Sequence, residues 1–314
     1  MSNTFSINRN KAKCPVLLLF GPTGVGKTEI LIQEFASGYE VISADSMQVY
    51  RGLDIGTAKP DARERSAVAH HLIDIKEPFE QFQVGEFVRL ADSCMQAISS
   101  RGNIPILSGG TAFYFKHFLF GLPAAPKADY ELRRSLQKEL ECEGLPRMFA
   151  RLRQIDPESA SRISPEDAYR ILRALEVYES SGRPLSHYRM PVQIRDHLTP
   201  VVIGLRRSRE ELADRIDRRV RSMFSAGLCR EVQQLMRQGA SPSWPGMKGI
   251  GYREFFTYRD SGEQSLEVLV REIADHSKKY AKRQMTFFRS LPGVHWIHPD
   301  ERTAIRALAP GRGR

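Results

Sequence analysis

Cysteine is scarce in this chain. The four present, Cys14, Cys94, Cys142 and Cys229, lie far apart. No pair has the spacing of a zinc ligand set or a redox motif, so a disulfide scaffold is excluded and the thiols are read as reduced. Long apolar runs are missing too. No segment approaches the roughly 20 residues that a membrane-spanning helix needs, so no membrane association is expected. Residues 1–6 (MSNTFS) lack a basic stretch leading into an apolar one, which argues against a secretory leader and for a cytoplasmic protein. Neither an internal repeat nor a low-complexity tract is found, which removes solenoid architectures. What remains is ordinary for a soluble globular protein: 41% hydrophobic and 27% charged residues in a chain of 314. That length suits one large α/β domain carrying a smaller one.

Charge is the first positive feature. The formal net charge is +10 and the sequence pI is near 9.5. A solvated basic surface explains this, and so does a polyanionic partner that releases counterions on binding. Net charge alone leaves both readings open.

Periodicity gives the organisation. Cys14–Phe20 is a short apolar run, expected to be a buried strand, followed by a glycine-rich turn and a helix over Lys27–Ala36. Glu40–Ala44 reads as a second strand and His71–Ile75 as a third. Over Val84–Ser100, Val84, Phe87, Val88, Ala91, Met95 and Ile98 recur on one helical side. Ile104–Leu107 is another strand, ending in Ser108-Gly109-Gly110-Thr111, with a helix running on to Phe120. Alternating strands and helices predict a parallel sheet covered on both faces. From Asp129 to about His187 the patterns are helical only. A returning strand over Val201–Leu205 precedes helices at Arg209–Ala226, Cys229–Gln238 and Ser265–Arg289. The expected fold class is therefore α/β, a parallel sheet flanked by helices, and the glycine-rich turn after the first strand, a G-x-x-x-x-G-K-[ST] match, makes it P-loop NTPase-like. Residues 1–125 and 195–314 form the catalytic domain, and 126–194 form a helical insertion. Pro310–Arg314 is expected to be disordered.

Gly21-Pro22-Thr23-Gly24-Val25-Gly26-Lys27-Thr28 matches G-x-x-x-x-G-K-[ST] between a strand and a helix. That context is what phosphate binding needs. Inward-turned backbone N–H groups and a helix N-terminus surround the anion, Lys27 adds a point charge, and the Thr28 hydroxyl can reach Mg²⁺. The motif specifies a di- or triphosphate and leaves kinase, NTPase and diphosphate-using transferase open. Asp45 follows a strand end, where ligands of open parallel sheets bind. It suits a general base there, and it equally suits a helix N-cap.

The stretch 45–60, DSMQVYRGLDIGTAKP, closely resembles the tRNA dimethylallyltransferase (tRNA isopentenyltransferase) family. So do the Gly-Pro-Thr-x-x-Gly-Lys-Thr loop, His71–Asp74, Gly109–Thr111, Arg173–Val177, Gly249–Glu254 and Tyr280–Thr286, in the family's order across nearly the whole chain. The resemblance implies transfer of a dimethylallyl group from dimethylallyl diphosphate to the exocyclic amine of the adenosine 3′ of the anticodon, with Mg²⁺-diphosphate leaving. It implies Asp45 as general base or acceptor on that amine, Thr111 near the reacting atoms, and Arg253 beside the loop on the diphosphate. It further implies that Asp45, Ser46, Met47, Gln48, Thr111, Arg133, Tyr169, Arg170, Ile171, Leu172, Arg173, Lys248, Gly249, Ile250, Gly251, Tyr252 and Arg253 face tRNA. The expected partners are a tRNA anticodon stem-loop and dimethylallyl diphosphate, and the expected state is a monomer. One departure is local: many members have Ala-Thr-Arg where this chain has His276-Ser277-Lys278-Lys279. No zinc-finger extension of the eukaryotic kind is seen.

The basic charge has a pattern. On the last long helix, Leu266, Leu269, Val270, Ile273, Ser277, Tyr280, Ala281, Gln284 and Phe288 share one side. Arg271, Lys278, Lys282 and Arg289 share the other. With Arg215, Arg218, Arg219 and Arg221 on the preceding helix, this is read as an RNA-contacting region, though Lys282 and Arg283 equally suit the diphosphate. Two other enzymes fit the loop: an isopentenyltransferase acting on free adenylate and a P-loop small-molecule kinase. A non-catalytic RNA-binding protein, the third alternative, would make Asp45 and Lys27 dispensable.

Overall fold

The computed structural model describes residues 13–261 and 265–311. Residues 1–6, read above for a leader, lie outside them. In chain order the elements are β1 (Cys14–Phe20), α1 (Lys27–Glu34), β2 (Tyr39–Ser43), α2 (Ala62–Ala67), β3 (His70–His71), α3 (Val84–Ser100), β4 (Ile104–Gly109) and α4 (Ala112–Phe120). Then come α5 (Tyr130–Glu143), α6 (Leu145–Ile155), α7 (Pro157–Ala160) and α8 (Ala168–Ser181). The chain closes with β5 (Leu198–Leu205), α9 (Arg209–Ala226), α10 (Leu228–Arg237), α11 (Arg253–Ser261), α12 (Leu266–Phe288), β6 (His295–Ile297) and α13 (Arg302–Leu308). Two compact units result: one runs to Leu119 and resumes at Arg195, and the other is Phe120–Ile194.

The first unit is built on a six-stranded sheet in the order β3-β2-β4-β1-β5-β6, and every pair is parallel. A parallel sheet is covered on both faces, which is why β1 reads as an unbroken apolar run with Val16–Phe20 wholly inaccessible. From β1 the chain crosses to β2 on one side, and from β4 it crosses to β5 on the other. The order therefore reverses at β1, where open α/β sheets leave a crevice. Register levels the strand ends there: Phe20 lies opposite Gly109 and Gly204, and Ser43 opposite Ser108. Gly109 permits this closeness, because a Cβ on it would lie 2.2 Å from the Ala44 carbonyl oxygen.

Not every expected element formed. The third strand stops at His71 rather than continuing to Ile75, because Leu72 and Asp74 take left-handed backbone (φ 63° and 56°) that a strand cannot use. The turn lets the Asp74 carboxylate reach Lys59. That ammonium, buried in the 45–60 stretch, donates to Tyr50 O (2.7 Å), Asp54 Oδ1 (2.6 Å) and Asp74 Oδ1 (2.5 Å). Glu231 on α10 pins the same stretch by accepting from the Asp54, Ile55 and Gly56 amides. Much of this long motif therefore holds a loop in shape. The α2 helix carries a capping box, Asp61 with Glu64, that the pattern reading passed over. At the other end, Pro310 is anchored by a bond from the Tyr39 hydroxyl to its carbonyl (2.8 Å), while residues 312–314 lie outside the described residues.

A buried carboxylate supports β2. Glu40 accepts from Arg101 Nε and Nη2, Asn103 Nδ2 and His71 Nε2. Chiefly through the Arg101 bond, its pKa is lowered from the usual 4.5 to about 2. A depressed carboxylate pKa contributes stability above the unfolded value, and that stability is lost as pH falls toward the folded one. Glu40 should thus supply about 3 kcal/mol near neutrality, disappearing between pH 4.5 and 2. In Glu40→Gln the denaturation midpoint should fall at pH 7 and change much less than wild type across that window. Parallel pH profiles of the two proteins would eliminate the assignment.

The second unit is helical. Leu136, Met148, Leu152, Ile171, Leu172 and Leu175 form its core. The fully buried Glu176 accepts from the Asp129 amide (2.8 Å) and pairs with Arg173 (2.9 Å), whose other nitrogen donates to Pro126 O. Ile171 and Leu172 therefore cannot offer side chains to a ligand, and Arg173 is tied within its own unit. Tyr169 and Arg170 are exposed, and Arg133 stacks on the Tyr169 ring at 4.7 Å. Of the residues expected to face RNA in this unit, these three present side chains able to do so.

Candidate active site

A cleft of about 860 Å³ opens at the reversal point, lined by Thr23, Gly24, Gly26, Lys27 and Thr28 of the phosphate-loop motif, by residues 45–48, and by residues 248–251 with Arg253. The loop leaves β1 at Gly21 and turns into α1 through Gly26, whose φ of 108° is left-handed and strained for any other residue. Lys27 Nζ donates to the Gly21 (2.8 Å) and Pro22 (3.1 Å) carbonyls, so the ammonium is held over the loop. Thr28 follows on the cleft wall.

Three side chains from distant sequence fix this loop from outside. Gln284 on α12 accepts from Thr23 N (2.9 Å) and donates to Gly110 O (2.7 Å), joining the loop to the turn after β4. Arg215 donates to Gly24 O (2.8 Å) and Arg207 to Val25 O (3.0 Å). Gln284 was assigned by spacing to a packing face. It is buried, but its polar ends are what it uses.

Asp45 shows both properties considered for it. Its Oδ1 accepts from Met47 N (2.8 Å) and Gln48 N (3.3 Å), the bonding of a cap, although no regular helix follows. Its Oδ2 has no hydrogen-bond partner among the described residues. Thr111 Oγ1 accepts from Ser46 N (2.9 Å), and Thr111 N donates to Ala44 O (3.0 Å), so the turn after β4 holds the 44–46 backbone.

Positive charge dominates the walls. Lys27, Arg215, Arg218, Arg219, Lys248, Arg253 and Arg283 line the cleft against Glu29, Asp45 and Glu64. Burial chiefly, and then the neighbouring Arg219, bring the Lys27 pKa from 10.5 to about 8 against the opposing pull of Asp45. Burial likewise lowers Arg219, again opposed by Asp45. A site that disfavours its own cations is poised to take an anion. Burial, and then the Asp45 charge, raise the Tyr280 hydroxyl to about 12, so it stays a neutral donor. Apolar wall is present as well: Ile216, Val220, Met223, Ile250 and Ile273.

This arrangement redistributes several expected residues. Arg215, Arg218 and Arg219, read as part of an RNA face, line the phosphate cleft. An i, i+4 pair flanking Ile216 and Val220 was the available signal that Arg215 and Arg219 face inward. Ser277 and Tyr280 line the cleft rather than the core, and Leu266 is exposed. Lys278 is no free cation: Asp217 (2.7 Å) and Asp275 (3.6 Å) hold it. Arg271, Lys282 and Arg289 do stay exposed, and of the pair left open, Arg283 lines the cleft whereas Lys282 does not. Tyr252 is wholly buried, its hydroxyl spent on Glu231 (2.7 Å). Arg253 is oriented by the buried Glu254, which accepts from Arg253 Nε (3.0 Å), Gly251 N (2.8 Å) and His276 Nδ1 (2.7 Å). The departure at His276 thus has a role: it partners a buried carboxylate.

Comparison with known proteins is consistent along the chain. The family model described as IPP transferase matches residues 48–291, and the one described as Isopentenyl transferase matches residues 14–78. A tRNA dimethylallyltransferase of Syntrophobacter fumaroxidans is 43% identical over 92% of this chain and 85% of that protein. Another, from Desulforudis audaxviator, is 41% identical over 91% and 93%. Among solved structures, the full-length tRNA isopentenylpyrophosphate transferase of Bacillus halodurans superposes with a TM-score of 0.67 at 37% identity, covering 95% of each chain. A eukaryotic dimethylallyltransferase acting on tRNA gives 0.79 at 26% identity, over 95% of this chain and 78% of that one.

Proposed function

The chain belongs to the IPP transferase family, and on that premise we propose that it is a tRNA dimethylallyltransferase. It moves a dimethylallyl group from dimethylallyl diphosphate to the exocyclic amine of the adenosine 3′ of the anticodon. The observation that carries this reading is one cleft holding a phosphate loop, a carboxylate oxygen without a partner and an apolar wall. A kinase needs no such wall, and a passive RNA binder needs neither the loop nor the free carboxylate.

The chemistry follows from the residues. As the adenine nitrogen attacks the allylic carbon, the C–O bond to diphosphate breaks and its electron pair leaves with the diphosphate. The amine proton passes to Asp45 Oδ2, since Oδ1 is occupied by two amides. The Gly26 amide, Lys27, Arg219 and Arg253 stabilise the departing charge from fixed positions. Ile216, Val220, Met223, Ile250 and Ile273 shelter the five-carbon group from water. Mg²⁺ fits this site through the Thr28 hydroxyl, a hard oxygen donor on the cleft wall, as suits an ion shared with substrate phosphates. When bound it supplies charge neutralisation on the diphosphate. Extracting an adenine from a stacked loop costs about a few kcal/mol. Exposed Arg271, Lys282, Arg289 and Lys248 are among the cations able to offset that through RNA phosphates.

The test uses unmodified bulk tRNA, dimethylallyl diphosphate and Mg²⁺, with nucleosides analysed by mass spectrometry. Isopentenyladenosine should appear in the tRNA. Product on free AMP but none on tRNA would replace this reading with an adenylate transferase.

A further inference from the structure

We infer that Arg207, which lies outside the cleft wall, is a positioning residue that aims the Gly26 amide at the diphosphate. This rests on the diphosphate reading given above. In a trans peptide the C=O and N–H point in opposite directions. Arg207 Nε binds the Val25 carbonyl at 3.0 Å from behind the loop, so the Gly26 N–H is turned the other way, toward the cleft that Gly26 lines. The neighbouring peptide does not serve this purpose: Arg215 holds its Gly24 carbonyl, but its Val25 N–H already donates to Pro22 O (3.3 Å). The Thr23 N–H is spent on Gln284. The Gly26 amide is thus left for the ligand, and Gly26, with its left-handed φ of 108°, is where the backbone would most readily turn away.

Arg207 is itself built in. Its side chain is 6% exposed. Nη1 pairs with Glu211 and lies 3.3 Å from His298 Nε2, and Nη2 pairs with Asp300 at 3.3 Å. Two carboxylates engage the guanidinium, so its charge is committed away from the cleft; removing it frees the Val25 carbonyl and also leaves Glu211 and Asp300 without this cation.

Inorganic pyrophosphate binding, measured by calorimetry on the full chain, reads this directly, with steady-state kinetics beside it. Arg207→Met should weaken pyrophosphate about tenfold, roughly one well-aimed hydrogen bond to a charged group. It should raise KM for dimethylallyl diphosphate by a similar factor and leave KM for tRNA unchanged. Arg101→Met serves as the control: it removes a partner of Glu40 before the start of β4, at the end of the sheet away from the cleft. It should lower the melting temperature without moving pyrophosphate affinity. Wild-type affinity in Arg207→Met overturns the inference, as does an equal loss in Arg101→Met. A wild-type protein that does not bind pyrophosphate overturns the diphosphate reading itself.

Discussion

Asp45→Asn should lower the single-turnover rate roughly a hundredfold or more, a loss of about 3 kcal/mol of transition-state stabilisation. The fold gives this substitution unusual discrimination. Asparagine keeps an oxygen to accept from the Met47 and Gln48 amides, so the turn survives. What changes is the other atom, where an oxygen able to take a proton becomes an NH₂ that cannot. Melting temperature and tRNA affinity should therefore hold while the chemical step slows. Saturating donor and tRNA in a rapid-quench experiment isolate that step. Near-normal turnover would reduce Asp45 to a turn residue, and a melting temperature falling in step with activity would point to structure.

Lys27→Ala should weaken donor binding by about 2–3 kcal/mol, thirty- to a hundredfold or more, because a charge-assisted bond to the diphosphate is lost. Affinity for tRNA should stay close to wild type. The wild-type pH dependence carries a second signature. With the Lys27 pKa lowered to about 8, the ammonium is present below that pH and lost above it. Donor affinity should thus decline as pH rises through 8. Because binding an anion favours the charged form, pyrophosphate binding at pH 8 should take up about half a proton, visible as a buffer-dependent enthalpy. Arg219 is one cause of the lowering, so Arg219→Gln should move the inflection upward even as it weakens binding. An inflection unmoved by either substitution would assign the titration elsewhere.

Strongly periodic elements were legible in advance. The β1 strand and the α3 and α9 helices appear with the expected limits, because an unbroken apolar run and a 3.6-residue repeat are local signals of burial. Short elements were not. The β6 strand is three residues long and exists because β5 offers it an edge, a fact no window around His295–Ile297 contains. The β3 strand was overextended because left-handed backbone at Leu72 and Asp74 leaves no trace in hydropathy. In the site, the loop and Asp45 were readable since their motifs are contiguous. Gln284, Arg207 and Arg219 act across long sequence separations, where spacing shows which side of a helix a residue occupies but not what waits there.

The double bond pattern of Gln284 has a consequence for sequence space. Its carbonyl oxygen takes the Thr23 amide while its NH₂ group serves the Gly110 carbonyl. Glutamate at that position keeps the acceptor and loses the donor; lysine and arginine do the reverse; asparagine has both but is one methylene short. Leucine and methionine match the size and leave two backbone groups unanswered. The loop after β1 and the turn after β4 thus share a single amide, and the genetic alphabet holds few words that spell it. Position 284 should drift less than the buried leucines around it, where many side chains fill the same space.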